Sequence, residues 1–232
     1  VAHRCALNRS EAAQRLGMTD GVRALGLHIA AVRETFEEAG VFLGHVGGSA
    51  GSTGTPASQS TLSLWRDRIN AGASSFLELI ETEDLIFAVD QLRYFSHWIT
   101  PEVEKRRYDT RFFLARAPLD QVPTHDEKET TASAWLDAPD ALQRYENEQI
   151  ILAPPTLRIL MDVAEDASII GPTTRCPHPL PICPKAVFVE EQLHLIMPGD
   201  PDFEPAGQTA NRVILEGGQW RSVGSGSRLL LA

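Results

Sequence analysis

Cysteine is scarce in this 232-residue chain: Cys5, Cys176 and Cys183 are the only three. An odd, low number does not make a disulfide framework, and it makes a reducing cytoplasm the default compartment. Cys176, His178 and Cys183 invite a zinc reading, but the spacing is irregular and prolines crowd it, so zinc is not expected. Long apolar runs are also missing. No stretch approaches the roughly 20 residues of a membrane helix, and no apolar core follows Arg4 and Arg9 as in a signal peptide. Positive charge is in deficit, with a net charge of −10. That argues against a nucleic-acid partner, which needs a basic face against phosphate. It does not argue against a polyphosphate substrate, because bound metal ions can supply the local positive charge. Internal repeats are absent as well.

What remains is an ordinary globular composition, 43% hydrophobic and 22% charged, long enough for one large domain. Ser10 to Leu16 reads as a short helix with Ser10 as a candidate N-cap. Asp20 is placed to cap a second helix through Leu25, Ile29, Val32 and Phe36 to about Ala39, with Gly40 stopping it. Gly44 to Ser60 is rich in Gly, Ser and Thr and reads as a flexible loop. Thr61 to Ile80 is helical in pattern, with Leu62, Trp65, Ile69, Phe76 and Leu79 as core contacts and a weak break at Gly72.

The period then changes. Leu92 to Thr100 and Tyr108 to Ala115 read as strands, and Ala132 to Leu136 as a further candidate. Pro139 to Asn147 and Ala153 to Ala164 read as helices. Pro172 to Pro184 is a linker or extended crossing. Ala186 to Val189, His194 to Met197 and Arg212 to Leu215 are short strands, Gly217-Gly218 a hairpin turn, and Gly224 to Ala232 a loose tail. Trp98 and Trp135 are expected in the core, and His97 as a structural histidine. Arg93, Arg106, Arg107 and Arg111 are candidates for phosphate contact, though each alone reads as a surface charge.

The chemistry concentrates on the second helix. Glu34, Glu37 and Glu38 stand at i, i+3 and i+4, which share one helical face. Three carboxylates so close repel one another unless a cation intervenes, and hard divalent cations prefer oxygen ligands. Arg33 lies one turn before Glu37 and can hold its carboxylate. Ile29, Val32 and Phe36 would anchor the other face in the core. By carboxylate count alone, a solvated helix face is the commoner explanation. The whole string decides: Arg33-Glu34-Thr35-Phe36-Glu37-Glu38-Ala39-Gly40-Val41 resembles the second half of the Nudix box, G-x5-E-x7-R-E-U-x-E-E-x-G-U with U aliphatic. The first half is not matched. Leu25 stands where that box has Glu, and Thr19 where it has Gly; the Pro-Gly-Gly segment that usually precedes the box is absent.

Further along, Phe95-Ser96-His97-Trp98-Ile99-Thr100-Pro101 and Arg107-Tyr108-Asp109-Thr110-Arg111-Phe112-Phe113 resemble one branch of that family, related to the peroxisomal coenzyme A diphosphatases. Glu129-Thr130, Trp135-Leu136, Ala153-Pro154-Pro155-Thr156, Pro198-Gly199-Asp200-Pro201, Asn211-Arg212 and Gly218-Gln219-Trp220-Arg221 fit it too. In this branch an insertion separates the Gly-Gly turn from the catalytic helix, so the missing half is expected upstream of Val1.

The resemblance implies an α/β Nudix fold: a mixed, curved sheet between helices, with extra helices and a C-terminal strand-rich extension. It places the Nudix domain over 1–170 and the proline-rich crossing and C-terminal strands over 171–232, as part of the same domain. It implies that Glu37 and Glu38 coordinate Mg²⁺ or Mn²⁺, that Glu34 helps bind metal or activates water, and that Arg33 orients Glu37. A further loop acid is expected at Glu129, beside Asp126 and Glu127. The implied reaction is hydrolysis of a diphosphate linkage in coenzyme A or acyl-coenzyme A. A dinucleotide or nucleotide sugar is the alternative substrate, and a non-catalytic binding module the alternative class. The implied partner is a small-molecule diphosphate, with neither nucleic acid nor membrane; a homodimer is a candidate assembly that the sequence does not decide.

Overall fold

Local signals set most of the element ends. The structure, a computed structural model, describes residues 2–47, 54–125, 133–165 and 178–224. Contacts divide the chain into two compact units, Val1–Arg93 with Phe113–Ala134, and Tyr94–Phe112 with Trp135–Ala232. These units are defined by contacts alone and are a separate matter from the division at residue 170.

The first unit opens with α1 (Arg9–Leu16). Its N-cap is Asn8, not the expected Ser10. Asn8 Oδ1 accepts from the Glu11 backbone at 3.0 Å while Glu11 accepts from the Asn8 backbone at 2.9 Å, a reciprocal cap. Helix α2 (Gly21–Ala39) follows, then strand β1 (Gly44–Val46), helices α3 (Gln59–Asn70) and α4 (Phe76–Thr82), and strand β2 (Leu85–Phe87). Ser75 and Glu78 cap α4 as Asn8 and Glu11 cap α1. β1 and β2 pair antiparallel, with Gly44 opposite Phe87, and Cys5 adds a parallel bridge to Phe87. The stretch expected as a loop from Gly44 therefore begins as a strand, since pairing with β2 supplies what its own sequence lacks. The expected helix over 61–80 is split by a turn through Gly72 (φ +71°). Val32, Phe36, Phe42, Leu62, Leu79, Leu85, Phe87 and Val89 are at most 1% exposed and form the core. Burying a side chain such as Phe36 contributes about 2–3 kcal/mol.

The second unit contains most of β3 (Arg93–Ile99) and the first four residues of β4 (Asp109–Leu114), its two-stranded sheet partner. Helices α5 (Ala138–Glu146) and α6 (Pro154–Glu165) follow, then four strands, β5 (Lys185–Val189), β6 (Gln192–Ile196), β7 (Asn211–Glu216) and β8 (Gln219–Gly224). The last four form one antiparallel sheet in chain order. The expected turn at Gly217-Gly218 is present. Both glycines have positive φ (56° and 86°), as a two-residue hairpin between paired Glu216 and Gln219 requires. Trp98, Ile182, Leu195, Met197 and Val213 form a core cluster, and Ile182 bridges Trp98 in parallel. Arg158 of α6 is fully buried; its guanidinium donates to Ser222 Oγ at 2.6 Å and Asn211 Oδ1 at 2.7 Å, tying α6 to the sheet. Asp200 is also fully buried and accepts from the Asn211 and Asp202 backbones and from Arg212.

The class is α/β as expected. The described strands fall into three small sheets rather than one continuous sheet, and mixed pairing enters through the two isolated parallel bridges. Two further expectations fail. Residues 133–136 form no strand, and Trp135 is 73% exposed, because no regular element carries its ring inward. Trp98 is buried as expected. No helix of the described residues is long and apolar enough to cross a membrane.

Candidate active site

Helix α2 carries the candidate chemistry, and its position is set from both ends. Asp20 caps it, its Oδ1 accepting from Val22 and Arg23 backbone N–H groups at 3.0 Å each. Gly40 ends it in the left-handed conformation (φ +69°). Between them Ala24, Leu25, His28, Val32 and Phe36 are buried at helical spacing. Phe36 packs edge-on against Phe42, ring centroids 6.2 Å apart, and against Phe76 at 5.8 Å. Ile29, expected on the buried face, is only partly covered.

The opposite face presents the acids. Glu34 is exposed, whereas Glu37 and Glu38 are partly buried. Arg33 touches the Glu34 carboxylate and lies 3.9 Å from Glu37 Oε2. Arg33 thus faces both carboxylates, and Glu34 is the nearer.

As a donor set these three residues suit a hard divalent cation: all oxygen, charged and reachable from solvent on one face. They are not gathered into a ready-made cage. Among the described residues, no group of three or more His, Cys, Asp or Glu side chains stands close enough together to hold a metal ion. A divalent cation held by one or two of these carboxylates would fill its remaining positions with water and substrate phosphate. Glu129, with Asp126 and Glu127, lies outside the described residues.

Several residues of this region were not foreseen. Arg66 of α3, only 6% exposed, donates from Nε to the Glu37 carbonyl at 2.9 Å and from Nη2 to the Glu38 carbonyl at 2.5 Å. It also reaches Thr124 Oγ1 at 2.9 Å. Its signal is visible in the sequence: Leu62, Trp65, Arg66 and Ile69 occupy one helical stripe, and a cation on a buried stripe calls for a partner. Gln121 pairs with the Phe42 backbone in both directions, at 2.8 and 2.9 Å, holding the segment after α2. A cavity of about 490 Å³ opens between Gly40, Ser58, Ser60, Ser63, Arg66 and Thr124.

His28, within the buried face of α2, donates from Nδ1 to the Ala24 carbonyl at 2.8 Å and packs its ring 5.1 Å from Phe113. Burial pushes its pKa below the ordinary histidine value, against the raising effect of that hydrogen bond. Too enclosed to meet a substrate, it is a core residue.

In the second unit, His97 hydrogen-bonds Asp109 at 2.5 Å, and Arg111 meets the same carboxylate at 2.9 Å. Burial, with the Arg111 charge beside it, lowers the His97 pKa against the raising effect of Asp109. Arg106 lies over the Tyr108 ring at 5.2 Å, and Arg107 donates to the Thr100 carbonyl at 3.0 Å. These groups already have partners within the protein, as a structural His97 requires.

A family model described as the NUDT19 Nudix domain matches residues 9–162. The acyl-coenzyme A diphosphatase NUDT19 of Gallus gallus is 35% identical over 147 residues, covering 56% of this chain and 38% of that protein. Its Xenopus laevis counterpart is 30% identical over 138 residues, covering 55% and 36%. The Homo sapiens counterpart is 32% identical over 157 residues, covering 62% and 40%. The matches thus span well under half the length of these relatives. A solved NUDIX hydrolase from Alicyclobacillus acidocaldarius is 24% identical with a TM-score of 0.47, over 70% of this chain and 74% of that one.

Proposed function

This chain belongs to the NUDT19 Nudix domain family, and from that premise we propose that it is a metal-dependent diphosphatase acting on coenzyme A or acyl-coenzyme A. The observation that carries the reading is the face of α2: Arg33, Glu34, Glu37 and Glu38 in family order on a helix capped at one end, clamped at the other and anchored by Val32 and Phe36. The curated relatives named acyl-coenzyme A diphosphatase support the substrate class.

Glu37 and Glu38 would hold Mg²⁺ or Mn²⁺, with Glu34 as a third ligand or as the group that takes a proton from the attacking water. A divalent cation there supplies Lewis-acid polarisation of the diphosphate and a more acidic bound water. Arg33 keeps Glu37 oriented and offsets the charge of Glu34. Glu129 is the proposed further acid. Cleavage would release 3′,5′-ADP and a phosphopantetheine, with no covalent enzyme intermediate. The Nudix domain is assigned to 1–170, with 171–232 as an extension of it. The proposed compartment is a reducing cytoplasm, a reading that rests on the low, odd cysteine count. The proposed partner is the small-molecule substrate, without nucleic acid or membrane, and with a homodimer as the assembly to test.

One observation favours a second reading. Leu25 is buried where the family box has Glu, which suits a non-catalytic binding module. Incubating the full-length protein with coenzyme A, acyl-coenzyme A, dinucleotides and nucleotide sugars, with Mg²⁺ or Mn²⁺, separates the two. Mass spectrometry should show 3′,5′-ADP from coenzyme A substrates only when metal is present. Turnover of none of the panel would favour the binding module, and preference for a dinucleotide would correct the substrate.

A further inference from the structure

The end of α2 leaves carbonyls that an isolated helix cannot satisfy. Here each of the last four has a donor. Phe36 accepts from the Gly40 N–H at 2.9 Å, and Ala39 from the Thr124 N–H at 3.0 Å. Between them, Glu37 accepts from Arg66 Nε at 2.9 Å and Asn70 Nδ2 at 3.4 Å, and Glu38 from Arg66 Nη2 at 2.5 Å. The guanidinium thus spans the backbone of two consecutive residues, the two whose side chains are the proposed metal ligands.

Arg66 reaches them from a separate helix, and its Nη1 is held in turn by Thr124 Oγ1 at 2.9 Å. Its positive charge sits at the negative end of the α2 dipole. The fit is close: a Cβ at Gly40 would come within 3.1 Å of Arg66 Nη1 and 3.2 Å of Thr124 Oγ1. Helix ends fray unless their carbonyls are met. A fraying last turn would swing Glu37 and Glu38 by more than the roughly 0.5 Å a working metal site tolerates.

We propose that Arg66 is a positioning residue for the Glu37 and Glu38 carboxylates, acting through their backbone carbonyls rather than by touching metal or substrate. This rests on the diphosphatase reading of α2. Lysine at this place keeps the charge but not the planar fork, so it cannot span two carbonyls and a hydroxyl at once.

The test uses the full-length protein and its R66K, R66A, T124V and E37Q variants. Free Mn²⁺ is followed by electron paramagnetic resonance during titration, which gives the metal Kd without turnover; kcat, KM and Tm are measured beside it. R66K should weaken Mn²⁺ binding about 10- to 100-fold, the range for supporting partners of metal ligands. It should lower kcat with little change in the KM for substrate. R66A should regain part of its Mn²⁺ affinity with millimolar methylguanidine. If R66A does not fold, R66K and T124V carry the test, T124V moving in the same direction by less. An R66K protein with wild-type Mn²⁺ affinity and kcat, whatever its Tm, overturns the proposal. In that case a weakened E37Q leaves the metal reading intact. If E37Q binds Mn²⁺ as the wild type does, the metal reading fails and Arg66 falls with it.

Discussion

The guanidinium of Arg33 lies 3.9 Å from the Glu37 carboxylate one turn further along α2, and it touches the neighbouring Glu34 as well. Both members of the Arg33–Glu37 pair are partly exposed, 44% and 25%, so solvent screens their attraction. Such a pair contributes about 0.3–0.5 kcal/mol to stability. Its value to an enzyme is orientation. Arg33→Gln should shift Tm by no more than about 2 °C while lowering kcat about tenfold or more, read by calorimetry and steady-state kinetics. A Tm change with kcat untouched would reduce the pair to a surface contact.

Leu25 is the place where the chain departs from the Nudix box most consequentially. It is 3% exposed and packs on the buried side of α2, between Ala24 and His28. Leu25→Glu makes the sequence resemble the box more and the protein worse. A carboxylate there lacks solvent, and an uncompensated buried charge costs about 3–5 kcal/mol. Thermal unfolding should show a Tm loss on the order of 10 °C with no gain in activity. A stable Leu25→Glu protein with higher kcat would mean that α2 exposes that position in the working enzyme.

His28 gives the stability a pH dependence of defined sign. Its folded pKa is depressed by burial, and its Nδ1 is committed to Ala24. Below about pH 6.5 the unfolded chain takes up a proton that the folded protein resists. Stability attributable to His28 is therefore complete above pH 6.5 and falls as pH drops towards the lowered folded value. His97, also depressed, adds a slope of the same sign. Denaturant unfolding between pH 7.5 and 5.5 should show stability decreasing with acidity, less steeply in His28→Leu. An unchanged slope in that variant contradicts the assignment.

How much of this could be read from the residues varies by element. Helix α2 was legible to the residue at both ends because its signals are local: a capping Asp20, a stopping Gly40 and an apolar stripe between. The hairpin at Gly217-Gly218 was legible for the same reason. Strands β1 and β2 were not, because each has three residues, too few for a period, and they exist through pairing with each other. Trp135 was expected inside, as a core residue rather than a stacking platform, within a candidate strand over 132–136. Exposure is set by the element that carries a ring, and residues 133–136 form none. Asn8 displaced Ser10 as the cap because the reciprocal partner, Glu11, fixes the register. At the candidate site, spacing put the carboxylates on one face with Arg33 a turn before Glu37, and the resemblance of the whole string to the Nudix box made that face a candidate metal site. Arg66 was not assigned, although its place on an apolar stripe was the clue; its partners are carbonyls, which no side-chain pattern shows.

The most direct measurement is the turnover of coenzyme A by Glu37→Gln and Glu38→Gln in the full-length protein, with Mg²⁺ or Mn²⁺ present and folding verified by circular dichroism. Each substitution removes a charge while keeping the shape of the side chain. The expected result is release of 3′,5′-ADP by the wild type and loss of at least about a hundredfold in kcat in each variant, as for deletion of an electrostatic group acting on the transition state. Near-normal kcat in either variant would contradict the assignment of these carboxylates to the metal.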